Sequence, residues 1–273
     1  MGSSPRSHSA SRHYDANYAN FESDLYEEIR REAYGDDIGS SSWIDAPELD
    51  RFLTWLSLSP GKTLLDIACG AGGISLRIAE KTGCAIVGVD LHRDAISAAG
   101  SVAEKRGLAN QARFQVADCS VQLPFPDASF DAAICIDAIN HLPDRPRVIA
   151  DWARILKPAG KLLFTNATTI TGPLSGEELA IRGSIGFFLF VPLGYDEKIL
   201  AESGFRLLRR EDVTGNTATL AARRGAARAK RADALRKIEG DASFESQQRF
   251  FEVASRIAAE RRLSRFVYFS EKL

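Results

Sequence analysis

The string LLDIACGAGG, Leu64 to Gly73, ends an apolar run with three closely spaced glycines and opens directly into a segment of helical periodicity. Gly70, Gly72 and Gly73 leave room for a ligand to approach the backbone, and the N–H groups at a helix start are unpaired donors, so a nucleotide-type ligand could rest there. Eighteen residues after Gly72, Asp90 closes the apolar run AIVGVD. From that position a carboxylate can accept hydrogen bonds from ribose hydroxyls. Nicotinamide and flavin proteins also pair glycines with an acid at this distance, but the third glycine of the dinucleotide fingerprint would fall at Ser75, which makes hydride transfer the weaker alternative.

Other chemistries lack their residues. The only histidines within the core are His92 and His141, without H-x-x-x-H or H-E-x-x-H spacing, so no metal is expected. There is no G-x-S-x-G elbow for Ser/His/Asp hydrolysis. Cys69, Cys84, Cys119 and Cys135 match neither paired C-x-x-C spacing nor a disulfide framework, and their apolar neighbourhoods predict buried free thiols.

The elements that must position the glycine loop follow from periodicity. Short apolar runs at 63–68, 85–89, 113–117, 130–136 and 161–166 alternate with amphipathic stretches at 73–81, 93–106 and 145–156, which implies right-handed crossovers in a parallel sheet. A helix at 196–202, a strand at 205–213, a helical region from about 217 to 262 and a last strand at 265–270 complete an α/β, doubly wound, seven-stranded Rossmann-like sheet. Its final strand is expected antiparallel on the fifth-strand side.

Residues 1–13 read as a disordered arm or expression remnant, 14–59 as an N-terminal helical cover and 60–273 as the core, with a lid insertion at 167–193. Within the cover, Asp45 and Glu48 form a cap-like pair before an apolar helix. Residues 223–237 hold seven basic side chains against the single acid Asp233, a run that reads first as a solvated helix face.

Together with LLDIACGAGG and VGVDL, the strings FQVADCSVQLPFPDASFDAAIC and RILKPAGKLLFTN make the chain resemble the class I S-adenosylmethionine (SAM)-dependent methyltransferases. The likeness is to the small-molecule branch that includes quinone-biosynthesis and phosphobase enzymes, and it covers roughly residues 40–166. The resemblance implies SAM as cofactor, with Asp66 and Gly70 lining its methionine end and Gly72 beside the turn. It places Asp90 on the ribose, Leu91 against the adenine, and Asp118 with the Cys119 N–H on the adenine edge. Asp137 and Ala138 would lie near the methionyl ammonium and the reacting sulfonium. Ser41 and Ser42 in GSSSW match a cofactor-reaching segment of phosphobase relatives, and Tyr18 is a further aromatic candidate from the N-terminal helix. His141 lies where such relatives often face the substrate, and an ordinary histidine pKa of ~6.5 would suit a general base; a helix-capping or backbone-bonding role is equally compatible. Trp43, Phe187, Phe188 and Phe190 are the candidate acceptor contacts.

The 35 basic and 36 acidic residues leave a net charge of −1, which disfavours a nucleic-acid partner. The longest apolar stretch, Ile185 to Leu193, is too short for the ~20 residues of a spanning helix, and no secretory signal is evident, so a cytoplasmic address is expected. An excess of Arg over Lys with abundant alanine hints at a GC-rich coding sequence and bacterial secondary metabolism. Methyl transfer to a small acceptor is the leading reading. A nucleic-acid methyltransferase is disfavoured because DAINHLPD replaces an N-P-P-Y-type clamp, and a non-catalytic SAM-binding protein is the remaining alternative.

Overall fold

The computed structural model describes Tyr18 and residues 20–273; the arm at 1–13 and the start of the cover lie outside the described residues. Five parallel strands, β1 (Thr63–Ile67), β2 (Ala85–Asp90), β3 (Ala112–Val116), β4 (Phe130–Cys135) and β5 (Leu156–Ile170), are ordered 3-2-1-4-5. β8 (Leu263–Lys272) then pairs antiparallel with β5, and β7 (Phe205–Asp212) antiparallel with β8 at the edge. The two-residue β6 (Val191–Pro192) pairs with the end of β5 and is the eighth strand of the sheet.

Helices α3 (Gly73–Thr82), α4 (Arg93–Lys105) and α5 (Arg145–Ile155) make the crossovers. The sheet is covered on both faces, so its central strands are largely apolar, as buried parallel strands require, with Asp66 the buried exception in β1. The expected order of strands and helices is present. β5 is longer than its apolar run, and the expected lid begins as strand. A bulge between Asn166 and Thr169 interrupts pairing with β8, where the Asn166 Oδ1 accepts from the Thr168 N–H at 3.1 Å and hydroxyl at 2.7 Å. Helix α6 (Gly176–Arg182) follows, entered through a Ser175/Glu178 capping box.

The cover combines α1 (Asp24–Tyr34) and α2 (Ala46–Leu56) with three C-terminal helices, α8 (Thr214–Ala229), α9 (Ala232–Glu239) and α10 (Asp241–Ala259), inserted between β7 and β8. Asp45 caps α2 by accepting from the Glu48 N–H at 3.0 Å. The basic run departs from its expected role as a solvated face, because acids of α1, α9 and α10 neutralise most of it. Lys230 pairs with Glu32, Arg231 with Glu28 and Glu32, Arg236 with Asp241 and Glu245, and the buried Arg228 with Glu239. Tyr26 of α1 also donates to Glu239, at 2.6 Å. The charges form the seam that fastens α1 to the C-terminal helices.

A second buried ion pair braces the far side of the sheet. Helix α7 (Tyr195–Glu202) presents Asp196, which accepts from Arg145 of α5 at 2.6 Å and from Asn166 of β5 at 2.7 Å, with both charged side chains essentially without solvent. Removing one partner strands the other charge in the interior at a cost of about 3–5 kcal/mol, whereas replacing both by apolar residues is far better tolerated. Asp196→Leu should therefore lower the urea-unfolding free energy by that amount, and adding Arg145→Met should restore most of it. Equal losses in the single and double variants would show that packing, not charge, holds this contact.

Candidate active site

The carboxyl ends of β1, β2 and β4 converge on the loop after β1, which packs by three different uses of glycine. Gly70 has φ +56° and lies under the Tyr18 hydroxyl, which a Cβ would meet at 2.9 Å. Gly72 has φ +77°, and a Cβ there would meet Ala99 and Phe114 at 2.8 and 2.9 Å. A Cβ on Gly73 would strike the Ile38 carbonyl at 2.0 Å, so this residue lets the segment before α2 cross the start of α3. Of the three, Gly72 and Gly73 serve protein packing rather than the ligand room expected of them.

Asp90 is buried, yet among the described residues each carboxylate oxygen takes one backbone donor: Oδ2 from Gly70 N and Oδ1 from His92 N, both at 2.9 Å. A carboxylate offers about four acceptor sites, so capacity remains for a diol. Leu91 beside it is 59 % exposed, an apolar platform for a planar base. Asp118 is exposed and accepts from Ser120, while Cys119 is buried, its thiol pushed up to about 12 by burial. Cys84 and Cys135 are also buried free thiols; Cys69 is half-buried.

Asp66 accepts from the Ser75 hydroxyl at 2.5 Å deep in the core. Burial raises its pKa to about 7, against the Ser75 hydrogen bond and with a small contribution from the Asp90 charge. Ala68 after β1 and Asp137 after β4 both hold left-handed backbone, at φ +59° and +55°. Such strain in non-glycine residues persists only where the surroundings over-determine it. For Asp137 they do. Its N–H donates to Thr165 Oγ1 at 2.8 Å, Oδ1 accepts from Thr165 Oγ1 and Arg265 Nε at 2.7 Å each, and Oδ2 accepts from Trp43 N at 2.8 Å. Ala138 follows and leads into the single turn Ile139–His141.

Beyond Asp137 lies a cavity of about 80 Å³. Trp43, Phe188, Phe250, Phe251, Ile185 and Ala167 give its apolar wall, and Ser41, Ser42, Asn140, His141, Arg224 and Gln247 its polar positions. The site candidates therefore divide between two regions. Ser41 and Ser42 line this cavity together with Trp43 and Phe188, and Tyr34 of α1 orders their loop by donating to the Ser42 carbonyl at 2.7 Å.

Three aromatic candidates lie outside the cavity wall. Tyr18 sits on the glycine loop, its ring 5.6 Å from His92, so it belongs to the cofactor side. The Phe187 side chain is half exposed and only its carbonyl reaches inward. Phe190 packs behind Phe188 against Val253, Ile257 and Leu263. His141 also differs from expectation: burial pushes its pKa down to about 4, against the bond to the Phe187 carbonyl and assisted by the Arg182 charge. Because a carbonyl only accepts, the 2.8 Å contact fixes Nδ1–H and leaves Nε2 with the lone pair.

Sequence reasoning missed Arg224, Gln247, Phe250 and Phe251. Phe250 and Phe251 carry the periodicity of an ordinary core helix, and no local pattern reveals that they close a cavity formed with residue 43.

A model of the methyltransferase domain family matches residues 65–164. The 27-O-demethylrifamycin SV methyltransferase of Amycolatopsis mediterranei is 31 % identical over 208 residues, 75 % of this chain and 76 % of that protein. The chain belongs to the class I SAM-dependent methyltransferases. Other curated methyltransferases match over shorter spans, between 32 % and 61 % of their own lengths. The fold is shared with the cyclopropane synthase MmaA2 of Mycobacterium tuberculosis, at TM-score 0.80 and 21 % identity over 96 % of this chain and 98 % of that one. It is also shared with a phosphoethanolamine N-methyltransferase of Haemonchus contortus in complex with S-adenosylhomocysteine, at TM-score 0.78 and 20 % identity over 95 % and 59 % of the two chains. SAM is thus the cofactor of this methyltransferase. Asp90 with spare acceptor sites, the exposed Leu91 and the outward Asp118 suit its ribose and adenine.

The raised pKa of Asp66 has a signed consequence for stability. The unfolded chain gives up this proton at the ordinary value of 3.8, whereas the folded methyltransferase keeps it until about pH 7. Stability linked to the protonated form is full below about pH 4, falls as pH rises, and levels off above about 7. Asp66→Asn should flatten that part of the urea-unfolding profile, by on the order of 1.4 kcal/mol for each pK unit of elevation. Parallel profiles for the two proteins would refute the elevated value.

Proposed function

We propose that this methyltransferase transfers the methyl group of SAM to a small, partly apolar acceptor bound between Trp43, Phe188 and the α10 phenylalanines. The observation carrying this reading is the aromatic-walled cavity that opens at Asp137, beside the carboxyl end of β4 where the methionine end of the cofactor is expected. Apolar pockets with a few placed polar groups are the usual form of small-ligand sites. Identity with the rifamycin-modifying enzyme and the Arg-rich composition support an acceptor from bacterial secondary metabolism.

A sulfonium methyl is already activated, so bound SAM supplies the electrophile and the protein supplies placement. Asp90 would hold the ribose diol, Leu91 and Asp118 with the Cys119 N–H the adenine, and Asp66, Gly70, Asp137 and Ala138 the methionine end. Gly72 would shape the turn beside it, and Tyr18 would cover it. Trp43 and Phe188 would exclude water while Ser41 and Ser42 orient the acceptor. His141, neutral through its lowered pKa, offers the Nε2 lone pair but is a weak base, so its larger contribution is to hold the lid through the Phe187 carbonyl. Ion pairing of most of the basic run supports a small acceptor over nucleic acid.

Tritiated methyl from SAM should enter a low-molecular-weight fraction of a bacterial metabolite extract and not RNA or DNA; label in nucleic acid alone would overturn the proposal. Asp90→Ala should weaken SAM binding in calorimetry by about 1.5–3 kcal/mol per lost charge-assisted hydrogen bond, and unchanged affinity would remove its ribose role. Phe188→Ala should raise the KM of the acceptor more than that of SAM. His141→Gln should lower kcat without altering the shape of the pH–rate curve above about pH 5, whereas loss of an inflection there would restore His141 as the base.

A further inference from the structure

Resting on the reading of this cavity as the acceptor site, we propose that Arg224 selects acceptors that carry an anionic oxygen group, a carboxylate or an acidic phenolate or enolate, and that it disfavours protonated amines. Arg224 projects from α8 into the cavity wall, and its orientation is fixed without its charge being neutralised. Nη1 donates to the Ser41 carbonyl at 2.6 Å, and the guanidinium lies over the rings of Phe251, Trp43 and Tyr34 at 4.7, 5.6 and 6.0 Å. Carbonyl and rings steady the planar fork; neither brings a full negative charge.

Four of the seven cations of the same basic run are neutralised. Arg228, Lys230, Arg231 and Arg236 in the same basic run each meet a carboxylate, and so does Arg30 across the adjoining space, where it pairs with Asp37. Among the described residues no carboxylate lies within ion-pair distance of Arg224. A half-buried guanidinium of this kind, with further N–H donors in a plane, matches the planar oxygens of a carboxylate or the single oxygen of a phenolate.

The remaining charged groups point the same way. Asp137, the acid lining the cavity, is already engaged by Arg265, Thr165 and the Trp43 N–H. The aromatic faces that would otherwise attract an ammonium are taken, since Arg182 lies over Phe250 at 4.6 Å and Phe188 at 5.4 Å, and Arg224 covers Phe251. A protonated amine entering here would find cations on its ring faces, and the one carboxylate lining the cavity among the described residues, Asp137, with both oxygens already hydrogen-bonded. Arg224, Ser41 and Gln247 also border a second cavity toward Phe21, Tyr26 and Ile29 of the cover. The guanidinium therefore stands at the junction of two spaces, where it can fix the polar group of an acceptor whose apolar part fills either side.

Four single-ring aromatic probes test this by calorimetry on the full chain saturated with S-adenosylhomocysteine: benzoate, 4-nitrophenolate, benzylammonium and benzyl alcohol. The two anions should bind at least about tenfold more tightly than the ammonium and the alcohol. Arg224→Gln should abolish that preference and Arg224→Lys retain part of it, with SAM affinity and the circular dichroism spectrum unchanged in both. Equal or tighter binding of benzylammonium, a preference that survives Arg224→Gln, or binding of none of the four probes would each overturn the inference. Methyl transfer into small metabolites is measured separately. Its loss would overturn the acceptor-site reading, while its persistence alongside amine preference would overturn the role of Arg224 alone.

Discussion

Arg265 is buried completely, with its guanidinium held between two carboxylates from distant parts of the chain. Nε donates to Asp137 at 2.7 Å and Nη1 to Glu48 at 2.6 Å, which joins β8, the turn after β4 and the first turn of α2. Burial opposes the charge on Arg265, but Asp137 and Glu48 outweigh it and raise its pKa. Burial raises the pKa of Glu48 despite the attraction of Arg265. Clusters of this kind contribute little net stability because desolvation cancels much of the Coulomb gain. What this one contributes is position: it leaves Asp137 one arrangement, at a backbone angle that costs on the order of 1–3 kcal/mol elsewhere.

From that fixed point the aromatic-walled cavity is built outward. Asp137 Oδ2 holds the Trp43 backbone, Trp43 packs on Phe250 and Phe251, and Arg224 draws in the carbonyl of Ser41. The cover is then fastened by the Arg228–Glu239 pair and the Tyr26 hydroxyl that joins it. A transfer that depends on placing a nucleophile in line with an activated methyl gains most from a rigid frame of this sort. The chain uses buried ion pairs where a hydrophobic contact would fix distance less narrowly.

The sheet was legible because each strand and helix announces itself within a dozen residues. Apolar runs alternate with 3.6-residue periodicity, and Gly70, Asp90 and Asp118 fall at strand ends where local spacing reveals them. Tertiary contacts escaped the same reading. Glu48 and Arg265 stand 217 positions apart, so no window contains both. Within the basic run, Lys230 and Arg231 read as solvated because their acidic partners Glu28 and Glu32 belong to α1, about two hundred residues upstream; the partners of Arg228 and Arg236 are near in sequence but follow the run. His141 looked like an ordinary titrating histidine because burial under Phe188 has no sequence signature. Adjacency alone groups Phe187 and Phe190 with Phe188, whereas of these three the backbone after α6 turns only Phe188 toward the cavity.

The same division separates the matched methyltransferase domain from the segments around it. The matched domain, residues 65–164, contains the glycine loop, Asp90 and Asp118, all encoded by short local motifs. Of the described residues lining the aromatic-walled cavity, only Asp137, Asn140 and His141 fall inside it. The others come from the segment before α2, the lid and the helices between β7 and β8. Those segments pack on the core through Ile38, Ile44 and Ala167 and are tied to it by the Asp137–Trp43 bond. An enzyme that modifies a rifamycin and a cyclopropane synthase can accordingly resemble this chain while acting on different molecules. In the reading proposed above, selectivity would reside in Trp43, Phe188, Arg224 and the α10 phenylalanines, positioned through Asp137 and Arg265.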